Sequence, residues 1–360
     1  MSQLKREMLQ PIPDPVIVDG PGSQARRLRG AVVGLGHQGT KDHLPGMIRS
    51  PAVELVALCD IDRDKLDRIS SAYGIQAFDN CSELFREVPL DFIIASTPHD
   101  KYLAIVAEAA RYGIHILKEK PFARNLAEAR HLAAIAEANK IIISTGLQRR
   151  HSPLHRYFFE MLPLIGEPFF IDIKYTIFVD APHVGWRGNR DQAGGGCIID
   201  MGYHMVDLLI WYFGLPSQVL AGVSSRAVVE VPYDAEDTAS IVFQYDNNLH
   251  GICILSRFYS PKSEHFKVIG SNGTIEVGSS EIRLLHKNGE LIEQVSALRP
   301  SQLNSVRQIS QFCEIIRGKA ENRFGPRLHL AHAAFVDACY ESVRIGAFVN
   351  PRHLLELSDA

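Results

Sequence analysis

The sequence predicts an α/β domain on a mainly parallel sheet, followed by an α+β domain with a large, mostly antiparallel, open-faced sheet. Three observations predict it. Between residues 28 and 146, short apolar runs alternate with amphipathic stretches, as strands covered on both faces by helices do. A glycine-rich turn joins the first strand of that half to its first helix. Beyond residue 147 many runs alternate apolar with polar residues, the pattern of a sheet with one exposed face. The chain has 360 residues and is 46% apolar, enough for two domains with their own cores.

Taken in order, residues 1–27 hold scattered prolines and charges without periodicity and read as an irregular arm. GAVVG (Gly30–Gly34) is a short strand, followed by a helix-compatible stretch to Arg49. VELVALCD (Val53–Asp60) is a second strand, and Asp62 caps an amphipathic helix running to Tyr73. A weaker strand lies near Gln76–Phe78, and DFIIAST (Asp91–Thr97) is a stronger one. The helix through AIVAEAARYG is closed by Gly113. IHILKEKP then reads as a strand, Asn125–Asn139 as a helix and KIIISTG as a last strand, so the first domain ends near Gly146. The second domain, 147–350, opens with a helical segment (Pro153–Leu162). It continues as the strands FFIDIKYTIFV, QVLAGVSSRAVVEV, TASIVFQY, LHGICILSRF, HFKVIGSNGTIEV and EIRLLH. Helices near Leu303–Arg317 and Leu328–Ile345 close the chain, the C-terminal one expected to pack back on the first domain.

Composition excludes several classes. The formal net charge is −3 with both signs interleaved, so no general nucleic-acid or anionic-membrane surface is expected. Six cysteines lie far apart without a CxxC pair, as reduced, mostly buried thiols do. The first residues have no apolar stretch of signal-peptide type, and the most apolar run, Ile198 to Phe213, is too short and too polar to span a bilayer. A cytoplasmic protein is expected.

Gly34-Leu35-Gly36-His37-Gln38-Gly39 is a GxGxxG directly after a strand and opening a helix. The first glycine permits the tight turn and the second lets the backbone approach a pyrophosphate. The third allows helix and strand to pack closely, while the helix N-terminus supplies N–H donors to the phosphates. The second strand ends at Asp60, positioned to accept the adenosine ribose hydroxyls, with Ile61 beside it. Together these features mark a Rossmann dinucleotide site. A 2′-phosphate beside Asp60 would meet like charge, so NAD is expected rather than NADP. Arg63 reads as a solvated residue of the next helix's first turn. Further ligand contacts belong at the carboxyl ends of the strands: Ser96-Thr97-Pro98, then Lys118-Glu119-Lys120-Pro121, whose end points at the nicotinamide region, then Gln148.

The chemistry is concentrated in AGGGCIIDMGYHMVDLLIWYFG (Ala193–Gly214). Three consecutive glycines allow close backbone approach. Asp200, His204 and Asp207, at i, i+4 and i+7, would share one face of an otherwise apolar helix and must find partners there. An internal Asp–His–Asp hydrogen-bond set is the structural alternative to an active site. A metal held by Asp200, His204 and His183 fits the spacing but lacks any HxE or CxxC element, so no metal is expected. Gly270-Ser271-Asn272-Gly273 lies between alternating strands and reads as a hairpin turn rather than a phosphate loop. Among fifteen histidines only His204 has a constellation around it. Trp186-Arg187 would either line a sugar pocket or anchor a loop.

With GLGHQG, Asp60, STP, Glu119-Lys120-Pro121 and GGGxxxDxGxH in this order, the chain resembles the glucose–fructose oxidoreductase/inositol dehydrogenase/MocA (Gfo/Idh/MocA) family over residues 28–350. The resemblance implies NAD(P)-dependent oxidation or reduction at a secondary carbinol of a sugar, nucleotide sugar or cyclitol, with Lys120, Asp200 and His204 lining the substrate site. Arg150, Trp186 and Arg187 complete the substrate candidates. Two positions depart from the family pattern: Tyr102, where a His often follows the TP element, and His151, where an aromatic usually follows the QRR-type arginine. Hydride removal from a carbinol requires a base at its hydroxyl. His204 is the natural one, with Asp207 fixing its tautomer, and Lys120 is the alternative acceptor and the stabiliser of alkoxide charge. Asp200 would orient Lys120 or accept a substrate hydroxyl. Two rivals are a glycosidase that oxidises its sugar transiently on bound NAD, and an NAD(H)-binding sensor without turnover. The open sheet face implies a homodimer or homotetramer.

Overall fold

The computed structural model describes residues 26–297 and 301–356; the expected arm falls, up to residue 25, outside them. Six strands form the first sheet: β1 (Leu28–Val33), β2 (Val53–Cys59), β3 (Gln76–Phe78), β4 (Phe92–Ala95), β5 (His115–Lys118) and β6 (Ile143–Thr145). They lie in the order β3-β2-β1-β4-β5-β6, all parallel. The chain reverses direction across the sheet between β1 and β4, where such sheets form their ligand crevice. Register makes the strand ends flush: Val33 is opposite Cys59 and Ala95, Ala95 opposite Lys118, and Lys118 opposite Thr145. Gly34, Asp60, Ser96, Glu119 and Gly146 therefore emerge side by side at one edge.

Helices cover both faces. A π-helical turn (Gly39–His43) runs into α1 (Leu44–Arg49), and α2 (Arg63–Tyr73) starts at Asp62, whose side chain accepts from the Lys65 amide. Leu44, Met47 and Leu66 pack with Val32, Leu58, Phe92 and Ile94 of the sheet. The opposite face meets α3 (Cys81–Glu87), α4 (Tyr102–Arg111) and α5 (Leu126–Ala138) through Leu84, Val106, Ala109 and Leu132.

The second half contains α6 (Leu154–Met161), β7 (Pro168–Phe178), α7 (Arg190–Ala193), α8 (Tyr203–Phe213), β8 (Gln218–Ser224) and β9 (Thr238–Gln244). Next come β10 (His250–Ser256), β11 (Phe258–Gly270), β12 (Gly273–Val277), β13 (Glu281–His286) and β14 (Leu291–Ser296). The helices α9 (Ser301–Ile316), α10 (Pro326–Ile345) and α11 (Pro351–Glu356) follow. The sheet order is β14-β13-β12-β11-β7-β10-β9-β8, antiparallel except for the β7–β10 pair. Its inner residues, among them Ile171, Ile173, Ile241, Phe243 and Phe266, bury against Phe158 of α6, Leu208, Leu209 and Tyr212 of α8, and Phe335 of α10. From the C-terminal part, α9 returns to the first sheet, where Ile309, Phe312 and Cys313 join the core beside Met47. All six cysteines are free and five are buried.

Three local expectations fail, each for a physical reason. The strand expected to run to Val231 ends at Ser224. Its tail forms a loop whose Val229 is 81% exposed and whose Ala227 amide is held by Asp237. The edge strand β14 and the short helices α3, α7 and α11 went unread, because LIEQVS is largely exposed and CSELFRE, RDQA and PRHLLE are single short segments. The apolar run after the three glycines becomes helical only at Tyr203, so Asp200 sits in the preceding turn and the expected i, i+4, i+7 stripe does not form. The Ser271–Asn272 hairpin is as expected, with Ile269 paired to Thr274.

A candidate active site at the edge of the parallel sheet

The glycine loop has the geometry a dinucleotide requires. Gly34 takes φ +93°, a conformation open chiefly to glycine, and a Cβ there would press into the Ser96 carbonyl. A Cβ on Gly39 would press into the Gly34 carbonyl. A Cβ on Gly36 would meet nothing within 4 Å, so the backbone at that position faces an open cradle. Leu35 is buried, His37 is exposed, and Gln38 donates to Asp42 at 3.0 Å. Asp60 Oδ2 accepts from the Leu35 amide (2.5 Å) and Oδ1 from the Asp62 amide (2.9 Å), which fixes the carboxylate while each oxygen keeps a lone pair for a ribose hydroxyl. Ile61 beside it is 91% exposed. Arg63 is engaged by Asp79 rather than pointing at a phosphate position. These residues fit NAD.

Along the same edge, Ser96 donates its amide to Val33, and Ser96, Thr97 and Pro98 are half-buried. Glu119 is buried, and its Oε1 pairs with His43 Nε2 (2.7 Å) and accepts from Gln148 Nε2 (3.1 Å). Burial raises the Glu119 carboxyl, but His43 and Lys120 outweigh it and hold the group below the usual carboxylate range.

Lys120 follows Glu119 and reaches Asp200. Its Nζ donates to Asp200 Oδ1 (2.7 Å) and to the Asp200 carbonyl (2.8 Å), leaving one ammonium N–H for a substrate oxygen. Asp200 Oδ2 accepts from Arg187 Nε at 3.1 Å. Burial alone would raise the Asp200 carboxyl, yet Lys120 and Arg187 hold it far below its ordinary value, so it is ionised. The loop that presents Asp200 is fixed by Glu236, which accepts from the Gly196 and Ile198 amides (2.7 and 2.9 Å) and from Tyr340 (2.9 Å). The three glycines answer to this crowding: a Cβ on Gly194 would hit Arg124, on Gly195 the Tyr340 hydroxyl, and on Gly196 the Glu236 backbone.

His204 opens α8, half-buried, and its Nδ1 finds no hydrogen-bond partner among the described residues. Burial, with Arg149 and Lys120 nearby, pushes it well below its ordinary pKa, so the imidazole is neutral and able to accept a proton. The expected His204–Asp207 pairing does not occur. Asp207, 1% exposed, accepts from Arg150 Nη2 (2.6 Å) and pairs with His332 Nε2 (2.9 Å), tying α8 to α10. Arg150, expected at the substrate, is buried, its Nε and Nη2 donate to Asp207, and its guanidinium lies over Trp211.

Trp186 and Arg187 form a 3-10 turn with the guanidinium over the indole, so Arg187 is stacked and paired at once. Against them lies His99, which sequence reasoning missed: its ring centroid is 4.4 Å from that of Trp186 and its Nδ1 donates to the Ala193 carbonyl (2.7 Å). Burial pushes it down to about 3. Its one signal was position, directly after the STP strand end. His43 had none, since its partner lies 76 residues away. Lys118, expected among the ligand contacts at the end of β5, is instead 0% exposed, and burial lowers it to about 7 against the pull of Glu128 and Glu119.

The buried histidines carry a consequence for stability. His99 (about 3), His151 (about 4), His204 and His329 all stay neutral in the folded chain, whereas unfolded histidines titrate at about 6.5. Below that pH the unfolded chain takes up protons the folded chain refuses, so stability falls as pH drops, at about 1.4 kcal/mol per pH unit per group. Asp337, raised to about 6, and Glu236, also raised, bind protons in the folded state and offset part of this. The expected result is a urea midpoint that declines steadily from pH 6.5 to 5; a flat midpoint over that range would contradict it.

Comparison with known proteins agrees with this architecture. Residues 28–147 match the oxidoreductase family with an NAD-binding Rossmann fold, and residues 164–276 match the GFO/IDH/MocA C-terminal domain. A D-apiose dehydrogenase from Paraburkholderia graminis is 25% identical, covering 94% of this chain and 93% of that protein. Among solved structures, the WlbA dehydrogenase from Bordetella pertussis in complex with NADH and UDP-GlcNAcA has a TM-score of 0.77 at 21% identity, covering 90% of this chain and 99% of that one. The aldose-aldose oxidoreductase from Caulobacter crescentus complexed with glycerol has a TM-score of 0.80 at 22% identity, covering 90% and 100%. The chain belongs to the GFO/IDH/MocA oxidoreductase family.

Proposed function

We propose that this chain is an NAD-dependent dehydrogenase that transfers hydride between nicotinamide and a secondary carbinol of a sugar, nucleotide sugar or cyclitol. The observation that carries the reading is the Lys120–Asp200 pair at the carboxyl edge of the parallel sheet, with a neutral His204 in the segment that follows. Backbone groups of Gly34, Leu35, Gly36, His37, Gln38 and Gly39 would hold the pyrophosphate. Asp60 and Ile61 would flank the adenosine ribose, and Ser96, Thr97, Pro98, Glu119, Lys120 and Gln148 the nicotinamide half. When bound, NAD supplies the hydride acceptor. His204 takes the hydroxyl proton. Lys120 donates its remaining N–H to the same oxygen and stabilises the negative charge that develops there. Asp200 fixes Lys120, and Trp186 with Arg187 offers a stacked, hydrogen-bonding wall for a polyhydroxyl substrate.

NADH formation screened against D-apiose, myo-inositol, D-xylose, D-glucose and UDP-N-acetylglucosamine tests the reading. Turnover with one of them supports it; NAD binding without turnover of any sugar or cyclitol would favour a sensor instead.

Cofactor choice rests on Asp60 and on Arg63 being engaged by Asp79. NAD is expected to exceed NADP in kcat/KM, and Asp60→Ser with Ile61→Arg should narrow or reverse the ratio. A wild type that prefers NADP would contradict the charge argument.

The outer face of the eight-stranded sheet carries Phe170, Val242, Ile252 and Ile254, with Ile252 paired beside Val242. We assign it to contact with a second subunit, giving a homodimer or a dimer of dimers. Light scattering at micromolar concentration is expected to give two or four times the chain mass, and a monomer would count against it.

A further inference from the structure

Lys118 ends β5 wholly enclosed, and no carboxylate lies within ion-pair distance of it among the described residues. Burying an ammonium in that way is costly unless each of its N–H bonds is met. They are met, three by three. The Nζ donates to the carbonyl oxygens of Glu119 (3.1 Å), Pro121 (2.5 Å) and Phe122 (2.8 Å), and lies 3.7 Å from the centre of the Tyr102 ring. These carbonyls flank Lys120 on both sides. The turn carrying Lys120 is thus drawn around one buried cation, in place of the helix or ladder partners that its backbone would otherwise require. Enclosure keeps Lys118 itself away from any substrate.

We propose that Lys118 is a positioning residue: its buried ammonium gathers the Glu119, Pro121 and Phe122 carbonyls and thereby sets the direction in which Lys120 meets Asp200 and the substrate oxygen. This rests on the role given to Lys120 above. Tyr102 has a place in the same device, since its ring covers the cation. The two positions are read together: an aromatic ring follows the STP element where it faces the lysine that ends the next strand.

The test is Lys118→Met in the full chain, read in two ways. Acetic anhydride labelling, followed by mass spectrometry, compares Lys120 with the exposed Lys287 as internal reference. Release of Lys120 from Asp200 should raise its relative labelling several-fold. Turnover of the best substrate from the panel above, normalised to NADH-binding sites, should fall about ten- to a hundredfold, the scale of a displaced catalytic group. The double variant Lys118→Met/Lys120→Met should be no slower than Lys120→Met alone, because Lys118 acts through Lys120. A merely structural lysine would lower the yield of NADH-binding sites but not their turnover or the labelling of Lys120. Wild-type turnover and labelling in Lys118→Met would overturn the proposal. If Lys118→Met does not fold, Tyr102→Leu is compared with Tyr102→Phe. The first should raise Lys120 labelling and the second should not, and equal labelling in the two would overturn it. Should Lys120→Met retain turnover while Lys118→Met still raises the labelling, the positioning stands and the function proposed for Lys120 falls.

Discussion

Lys120→Met is expected to slow hydride transfer by about two orders of magnitude or more while leaving NAD affinity nearly unchanged. The substitution keeps side-chain length and removes the charge. In the wild type two ammonium N–H bonds are fixed on Asp200, so the third is already aimed and needs no reorganisation when charge builds on the substrate oxygen. Methionine removes that donor and leaves Asp200 with Arg187 as its remaining ion-pair partner. Single-turnover kinetics at saturating NAD, together with NADH titration by fluorescence, separate the two effects. Lost cofactor binding with intact turnover at saturation would make Lys120 a cofactor ligand only, and His204 with Asp200 would then carry the chemistry.

His204→Asn is expected to cost about two orders of magnitude or more in kcat/KM for oxidation, the contribution of a well-placed general base. The pH profile is more diagnostic than the size of the loss. Burial, Arg149 and Lys120 hold the imidazole well below its ordinary value. The wild-type rising limb of kcat/KM against pH should therefore lie on the acid side of about 6.5. Asparagine should remove that limb. Its persistence in His204→Asn would assign the base to another group. Combined with Lys120→Met the loss should be far from additive, since both side chains act on one oxygen and one proton.

Local features carried most of the fold. The glycine loop, the terminal acid Asp60 and the capping Asp62 are determined by neighbours a few residues away, and each sits where its local chemistry requires. The Ser271–Asn272 hairpin is of the same kind. What failed depends on distant partners. Spacing alone placed Asp200, His204 and Asp207 on one helix face. Glu236, some 40 residues on, instead captures the Gly196 and Ile198 amides and keeps the chain non-helical until Tyr203. Asp207 was read as a partner for His204, but Arg150 and His332 reach it from segments 57 and 125 residues away. His99 and His43 were passed over, and Lys118 was read as a ligand contact, because their meaning comes from Trp186, Glu119 and the carbonyls of a turn, none of which periodicity reveals.

The most direct test of the central claim follows the hydride itself. The best substrate from the panel is deuterated at the carbinol carbon and incubated with stoichiometric protein and NAD, and the label is located by mass spectrometry. Deuterium in released NADH, with a keto product and a slower single turnover than with protium, is the predicted result. Label returned to a hydrolysed sugar with NAD left oxidised, or label that never leaves the carbinol carbon, would contradict it.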